Sequence, residues 1–100
     1  MMRLSMLPSP AEIRAAADRI AACLVRTPLR RSGPLSEFVG GDVYLKLECE
    51  QLTGSFKIRG ATNALASLDA DARARGVVTA SAGNHGLGIA AAAQALGIRA

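Results

Sequence analysis

One order of segments occurs twice in this chain: a short apolar run, then a polar loop with glycine, then an alanine-rich run with helical spacing. In the first unit Val43 to Glu48 alternates apolar and polar residues, as in a half-buried strand, and helical spacing runs from Phe56 to Leu68. In the second unit Gly76 to Ala80 is predicted as a short buried strand, and the helix from His85 to Leu96 is stopped by Gly97. Two such units predict an α/β fold, with an open parallel sheet, flanking helices and right-handed crossovers.

The segments on either side of these units add further predicted elements. The stretch from Ser9 to Glu12 has the composition of a helix start, with a serine cap, proline in the first turn and glutamate three residues after the cap. This amphipathic helix should end before Thr27-Pro28. A short helix is predicted from Leu35 to Val39, and Ile98 to Ala100 is predicted to begin another strand.

Lys57 lies where the first predicted strand gives way to a helix. Ser55 is of the residue type that caps helices, so Lys57 should lie in the first turn, where unpaired N–H groups disfavour a cation. Those conditions favour the neutral amine that attacks an aldehyde, although a lysine taken alone is usually a solvated surface charge. Because both loops fall at the carboxyl ends of predicted parallel strands, Lys57 and Asn84 are expected to meet over one crevice.

The second loop, Ser81 to Gly86, combines backbone N–H groups, a hydroxyl, an amide and an imidazole at a predicted helix N-terminus. Such a loop suits a carboxylate or another small anion. Taken alone it is weak evidence, because glycine-containing turns are common scaffold and His85 alone is more often structural. Neither loop matches the glycine patterns of nucleotide-binding sites, which disfavours nucleotide binding.

Composition excludes several other classes. The net charge is +4, but the basic residues are scattered, and one tyrosine with no tryptophan offers no stacking surface, so no nucleic-acid partner is expected. Cys23 and Cys49 lack the spacing of metal ligands, so no metal site is expected and the thiols should be reduced. Residues 1–7 are too short for the apolar core of a signal peptide and no segment approaches a membrane span, which predicts a cytoplasmic protein without a membrane partner.

Taken together, three segments resemble the N-terminal part of the serine/threonine dehydratase family: Leu45 to Glu48, Thr53 to Ala61, and Ser81 to Gly86. Members of this family are fold-type II pyridoxal phosphate (PLP) enzymes, with the fold of the tryptophan synthase beta chain. Arg26 to Leu29 also looks like the family's early segment. The resemblance extends from about Pro10 to Ala100.

The resemblance implies a cofactor, pyridoxal 5′-phosphate, and a role for each loop. Lys57 would form the Schiff base and remove the α-proton, Phe56 would border the cofactor ring, and Asn84 would hydrogen-bond the 3′-oxygen of the ring. The residues that would receive the substrate carboxylate are Ser81, Gly83, Asn84 and His85. Loss of the β-hydroxyl and hydrolysis would then yield a 2-oxo acid and ammonia.

Two positions narrow the choice within the family. Ile58 occupies the position where threonine synthase and cysteine synthase relatives usually carry Asp, which points to the dehydratase and racemase branch. Ala82 occupies the position where racemases carry a serine that serves the opposite face of the substrate, so dehydration is expected rather than racemisation. The alternatives are an amino-acid (serine) racemase, a hydroxyaspartate dehydratase, or a non-catalytic binding module that keeps both loops as scaffold.

The family's phosphate-binding loop and its partner for the pyridine nitrogen lie later in the chain than Ala100. The resemblance therefore implies that residues 1–100 are the N-terminal portion of a catalytic region truncated at Ala100. The complete enzyme is expected to act on a small amino acid and to assemble with copies of itself. The choice between threonine and serine stays open.

Overall fold

The computed structural model describes residues 7–100, so the expectation for residues 1–7 lies, except for its last residue, outside the described part. Five helices, two strands and two 3₁₀ turns follow one another along these residues. In chain order they are α1 (Pro10–Ile20), a 3₁₀ turn (Ala21–Cys23), β1 (Leu29–Arg31), α2 (Gly33–Val39), β2 (Tyr44–Lys46), a second 3₁₀ turn (Glu48–Glu50), α3 (Lys57–Ala66), α4 (Ala70–Arg75) and α5 (Asn84–Leu96).

The start of α1 is the capping box that its sequence predicts. The Ser9 hydroxyl accepts a hydrogen bond from the Glu12 N–H (3.2 Å), and the Glu12 carboxylate accepts one from the Ser9 N–H (2.7 Å). The helix continues into the first 3₁₀ turn and stops before Thr27, as expected. Arg19, in its last turn, donates to the side-chain oxygen of Asn63 on α3 (2.6 Å), which ties the two helices together.

The two strands form an antiparallel pair in which Arg30 lies opposite Leu45. A hydrogen bond from the Ser32 N–H to the Val43 carbonyl (2.8 Å) extends the pairing by one step. The strand predicted from Val43 to Glu48 is therefore present in its central part. Its expected half-burial is wrong for the described residues, because all three β2 residues are exposed and Leu45 retains 41% of its accessible surface.

The strands predicted at 76–80 and 98–100 do not form within residues 7–100. One backbone hydrogen bond, from the Val77 N–H to the Arg99 carbonyl (2.8 Å), connects these segments, while Val78 is 99% exposed. A strand is defined by a ladder of hydrogen bonds to a neighbour, and a single bond does not make a ladder. The described residues thus mix helix and strand, as the α/β prediction requires, and the sheet among them is antiparallel.

The core of the described residues lies between α3 and α5. It is built mostly from small side chains, which let the two helices approach closely: Ala61, Leu65, Ala92, Ala93 and Ile98. The short helix predicted at 35–39 is confirmed and begins two residues earlier, and the stop of α5 at Gly97 is confirmed as well. None of the helices within residues 7–100 is long and apolar enough to cross a membrane.

Replacing Leu65 with alanine should test this helix-to-helix core. Leu65 is 3% exposed, so Leu65→Ala leaves a cavity and should lower the free energy of unfolding by about 2–5 kcal/mol. Leu52→Ala is the matched control, because Leu52 is 68% exposed and its truncation should change stability by no more than about 0.5 kcal/mol. Urea unfolding measures both variants, and equal losses would contradict the proposed location of the core.

Candidate active site

Lys57 is the first residue of α3, in agreement with the prediction that it lies in the first helical turn. The capping position is occupied by Phe56 rather than by Ser55, one residue later than predicted. The Ser55 hydroxyl nevertheless accepts a long hydrogen bond from the Lys57 N–H (3.4 Å). Lys57 is exposed, and its Nζ atom lies 5.6 Å from the centre of the Phe56 ring. An amine and an aromatic face therefore stand side by side at the start of α3.

The second predicted loop lies at the start of α5. This helix begins at Asn84, one residue before the predicted start, with Gly83 in the capping position. The Ser81 hydroxyl accepts a hydrogen bond from the Gly83 N–H (3.2 Å), which shapes the turn. Within residues 7–100 no side chain caps this end of α5, and residues 81–85 are all exposed. The amides of its first turn are therefore open to an anion.

Gly88 joins the two loops. A side-chain β-carbon at this position would lie 3.2 Å from both the carbonyl carbon and the carbonyl oxygen of Lys57, so the α5 backbone passes directly over the first turn of α3. Asn84 precedes Gly88 by about one helical turn, roughly 6 Å of rise. The structure thus brings the first turn of α3 and the start of α5 to one region through helix packing, although the strand predicted before the second loop does not form within the described residues.

Sequence reasoning missed a polar cluster beside this region, here called the Glu48 cluster (Thr27, Glu48, Gln51 and Arg59). Arg59 donates two hydrogen bonds to the Glu48 carboxylate, from Nε (2.7 Å) and from Nη2 (2.8 Å). Thr27 donates a third from its hydroxyl (2.6 Å), and Gln51 donates a longer one from Nε2 (3.3 Å). The sequence did show a carboxylate, Glu48, at the end of a predicted strand and an arginine, Arg59, in the following helix. Their spacing in the sequence did not indicate that the two side chains form a pair.

These contacts set the ionisation of Glu48. The hydrogen bonds from Arg59 are the main reason that the pKa of Glu48 falls from 4.5 to about 2, and partial burial opposes that fall. The same contact raises the pKa of Arg59. Glu48 is therefore an anion at neutral pH, and its carboxylate is engaged by donors from three segments of the chain.

An added side chain at Gly88 should separate the two helix ends of the site. Gly88→Val would push α5 away from the Lys57 carbonyl and should cost about 1–3 kcal/mol of unfolding free energy, with Gly88→Ala costing less. Gly60→Ala on α3 is the matched control, because nothing lies within 4 Å of the added carbon and helix propensity should make it neutral or stabilising. Urea unfolding of the three variants measures the difference, and a neutral Gly88→Val would contradict the close approach.

The low pKa of Glu48 predicts an acid-dependent contribution to stability. Because the pKa in the folded state is lower than in the unfolded state, the contribution is complete above pH 4.5 and disappears as the pH falls towards 2. The difference in unfolding free energy between wild type and Glu48→Gln should therefore be constant near neutral pH and shrink in acid. Urea titrations at a series of pH values measure it. When Arg59 is replaced by glutamine, the stability difference that Glu48→Gln causes should depend less on pH. A stability difference between wild type and Glu48→Gln that does not change in acid would refute the lowered pKa of Glu48.

Comparison with known proteins shows which family this chain matches. Residues 20–100 match the family described as pyridoxal-phosphate dependent enzyme. The L-threonine ammonia-lyase of Thermotoga maritima is 53% identical over 89 residues, which are 89% of this chain and 22% of that protein. The serine racemase of Arabidopsis thaliana is 47% identical over 88 residues, which are 88% of this chain and 27% of that protein.

A solved structure of a related enzyme is also similar to this chain. Maize serine racemase superimposes with a TM-score of 0.81 at 44% identity, over 89% of this chain and 28% of the racemase chain. The chain spans about a quarter of the length of the curated relatives it matches. Its matched residues include both loops and the Glu48 cluster. The chain therefore belongs to the family of pyridoxal-phosphate dependent enzymes, with the α/β fold of the fold-type II class and pyridoxal 5′-phosphate as its cofactor.

Proposed function

We propose that the protein is a threonine or serine dehydratase and that Lys57 holds the cofactor through a Schiff base. The observation that carries this proposal is the contact between Gly88 and the Lys57 carbonyl, because through it the open end of α5 lies beside the lysine helix. Residues 1–100 would form the N-terminal portion of a longer catalytic region, since they span about a quarter of the relatives' length.

The residues present fit the cofactor. Lys57 offers an exposed primary amine next to the Phe56 ring, which suits an aldehyde carried on a flat aromatic ring. In this proposal Phe56 borders that ring and Asn84 donates a hydrogen bond to its 3′-oxygen. When bound, PLP supplies an aldehyde carbon for the amine and a ring that accepts electrons as a bond at the substrate α-carbon breaks.

The loop at the start of α5 binds the other end of the substrate. Its exposed amides, together with the positive end of the helix dipole, favour a carboxylate over a neutral group. The residues proposed to hold that carboxylate are Ser81, Gly83, Asn84 and His85. The substrate amine would take the place of Lys57 on the aldehyde carbon, and the Lys57 amine freed in this way would accept the α-proton. The substrate then loses its β-hydroxyl as water, and hydrolysis of the remaining unsaturated amine yields a 2-oxo acid and ammonia.

Serine racemisation is the second candidate, because serine racemases are among the similar proteins. Racemisation requires an acid or base on each face of the α-carbon. Ala82 has no ionisable or hydroxyl group for the face opposite Lys57, which favours dehydration. The hydroxyl of its neighbour Ser81 accepts a hydrogen bond from the Gly83 N–H (3.2 Å).

The proposal is tested by trapping and by turnover in the complete protein. Borohydride reduction in the presence of PLP should leave a pyridoxyl group on Lys57, located by peptide mass mapping, and Lys57→Arg should abolish both the label and 2-oxo acid release. Lys46→Arg is the matched control, because Lys46 is the other lysine of residues 1–100 and donates to the Thr27 carbonyl, a bond that arginine can keep.

The assay with threonine and serine distinguishes the two candidates. A dehydratase releases 2-oxo acid faster than it interconverts the serine enantiomers, whereas the opposite order would favour the racemase. Label on both lysines, or on neither, would refute the role proposed for Lys57.

A further inference from the structure

We propose that Glu48, acting through Arg59, is a positioning residue that fixes the first turn of α3 and so the direction in which Lys57 presents its amine. The inference rests on the role proposed for Lys57 above. Glu48 lies just after β2, and Arg59 lies two residues after Lys57 on α3. The contact therefore joins the end of a strand to the turn that carries the reactive amine.

The geometry of the Glu48–Arg59 pair makes it directional. The guanidinium donates from Nε to one carboxylate oxygen (2.7 Å) and from Nη2 to the other (2.8 Å). Two parallel hydrogen bonds restrict rotation as well as distance, which a single lysine contact does not. The Glu48 side chain is 17% exposed and the Arg59 side chain 38%, so the carboxylate is the more shielded partner of the pair. The pair can therefore hold a helix in one orientation.

The first turn of α3 needs such a constraint. Phe56 occupies the capping position and has no polar side-chain group, and the Ser55 hydroxyl accepts a long hydrogen bond (3.4 Å) from the Lys57 N–H. Arg59 and Lys57 are separated by about 200° around the helix axis, so Glu48 holds the turn from the side away from the amine. Gly88 packs against the Lys57 carbonyl from α5. The turn is thus held from two directions.

The Glu48 side chain is itself firmly anchored. The Thr27 hydroxyl donates to it (2.6 Å), and Thr27 is 3% exposed. Gln51, 5% exposed, contacts Glu48 and also bonds both the N–H (3.2 Å) and the carbonyl (2.9 Å) of Val25. Buried polar groups with several partners tolerate little displacement, because each lost bond leaves an unpaired group. The anchor of the lysine helix is therefore rigid.

Glu48 acts on Lys57 through the helix backbone and takes no part in the chemistry. Its two oxygens accept four hydrogen bonds from Arg59, Thr27 and Gln51, which leaves it engaged by the protein. The loop between Gln51 and Lys57 is also closed at its start, by a hydrogen bond from the Gly54 N–H to the Gln51 carbonyl (2.9 Å). Removing the Glu48 charge should free both this loop and the first turn of α3.

The test uses Glu48→Gln in the complete protein with PLP. Two readouts report on positioning: the rate at which borohydride-trapped pyridoxyl accumulates on Lys57, and the visible circular dichroism of the bound cofactor. Both are read at a temperature at which thermal unfolding shows every variant to be folded. Glu48→Gln should slow labelling of Lys57 by roughly tenfold or more and reduce the dichroism, because small misplacements of reacting groups have large kinetic effects.

Asp42→Asn is the matched control. It removes a second arginine–carboxylate pair, Arg31–Asp42 (2.8 Å), in which both side chains are at least half exposed and which does not involve α3. Its labelling rate and dichroism should equal those of wild type. Arg59→Lys keeps the charge but loses the paired hydrogen bonds, so it should resemble Glu48→Gln and serves in its place if that variant does not fold.

A double variant tests whether the two residues act as one unit. Glu48→Gln combined with Arg59→Lys should be no slower than the slower single variant, because both changes break the same contact. If the double variant slowed labelling by the product of the two single-variant factors, the inference would be contradicted. If Glu48→Gln had the same labelling rate and dichroism as wild type, the positioning role of Glu48 would be refuted and the proposed function would stand. Absence of Lys57 labelling in wild type would instead overturn the proposed function.

Discussion

The close approach of α5 to α3 is the constraint on which the rest of this structure depends. Gly88 has no β-carbon, so the backbone of α5 can rest against the Lys57 carbonyl, where even a methyl group would lie 3.2 Å from carbonyl atoms. Alanines at 61, 92 and 93 continue the same interface and let it pack without bulky side chains. Because Lys57 is the first residue of α3 and the open start of α5 lies about one turn before Gly88, the packing of two helices also brings these two helix ends into one region.

The Glu48 cluster adds a polar constraint to this apolar one. Dispersion and apolar burial hold α3 against α5, but contacts between alanine side chains do little to fix the rotation of one helix against the other. Paired hydrogen bonds are directional and can fix that rotation. A partly buried carboxylate is costly unless it is paired, and here Arg59 and Thr27 engage it at 2.6–2.8 Å. The two kinds of interaction therefore divide the work: small residues set how near the helices lie, and the cluster sets how the first turn of α3 is oriented.

Local signals in the sequence predicted the helices well and the strands poorly. The capping box of Ser9 and Glu12 and the stop at Gly97 were predicted correctly, because caps and left-handed glycines act on neighbouring backbone groups. The strand predictions at 76–80 and 98–100 were wrong for the described residues, and β2 is exposed where half-burial was expected. An alternating or apolar run shows that residues suit a sheet, but hydrogen-bonding neighbours and a covering layer must come from elsewhere in the chain.

By itself, the sequence determined the start of α1, the stop of α5 at Gly97, that Lys57 stands in the first turn of a helix, and to which family the two loops are similar. These properties follow from residues within a few positions of one another, whose chemistry is independent of the remainder of the fold. Only the tertiary structure decided that Gly88 touches the Lys57 carbonyl and that Thr27, Gln51 and Arg59 converge on Glu48. Those contacts join residues from separate elements, and their distances depend on how helices pack and on which buried polar groups find partners.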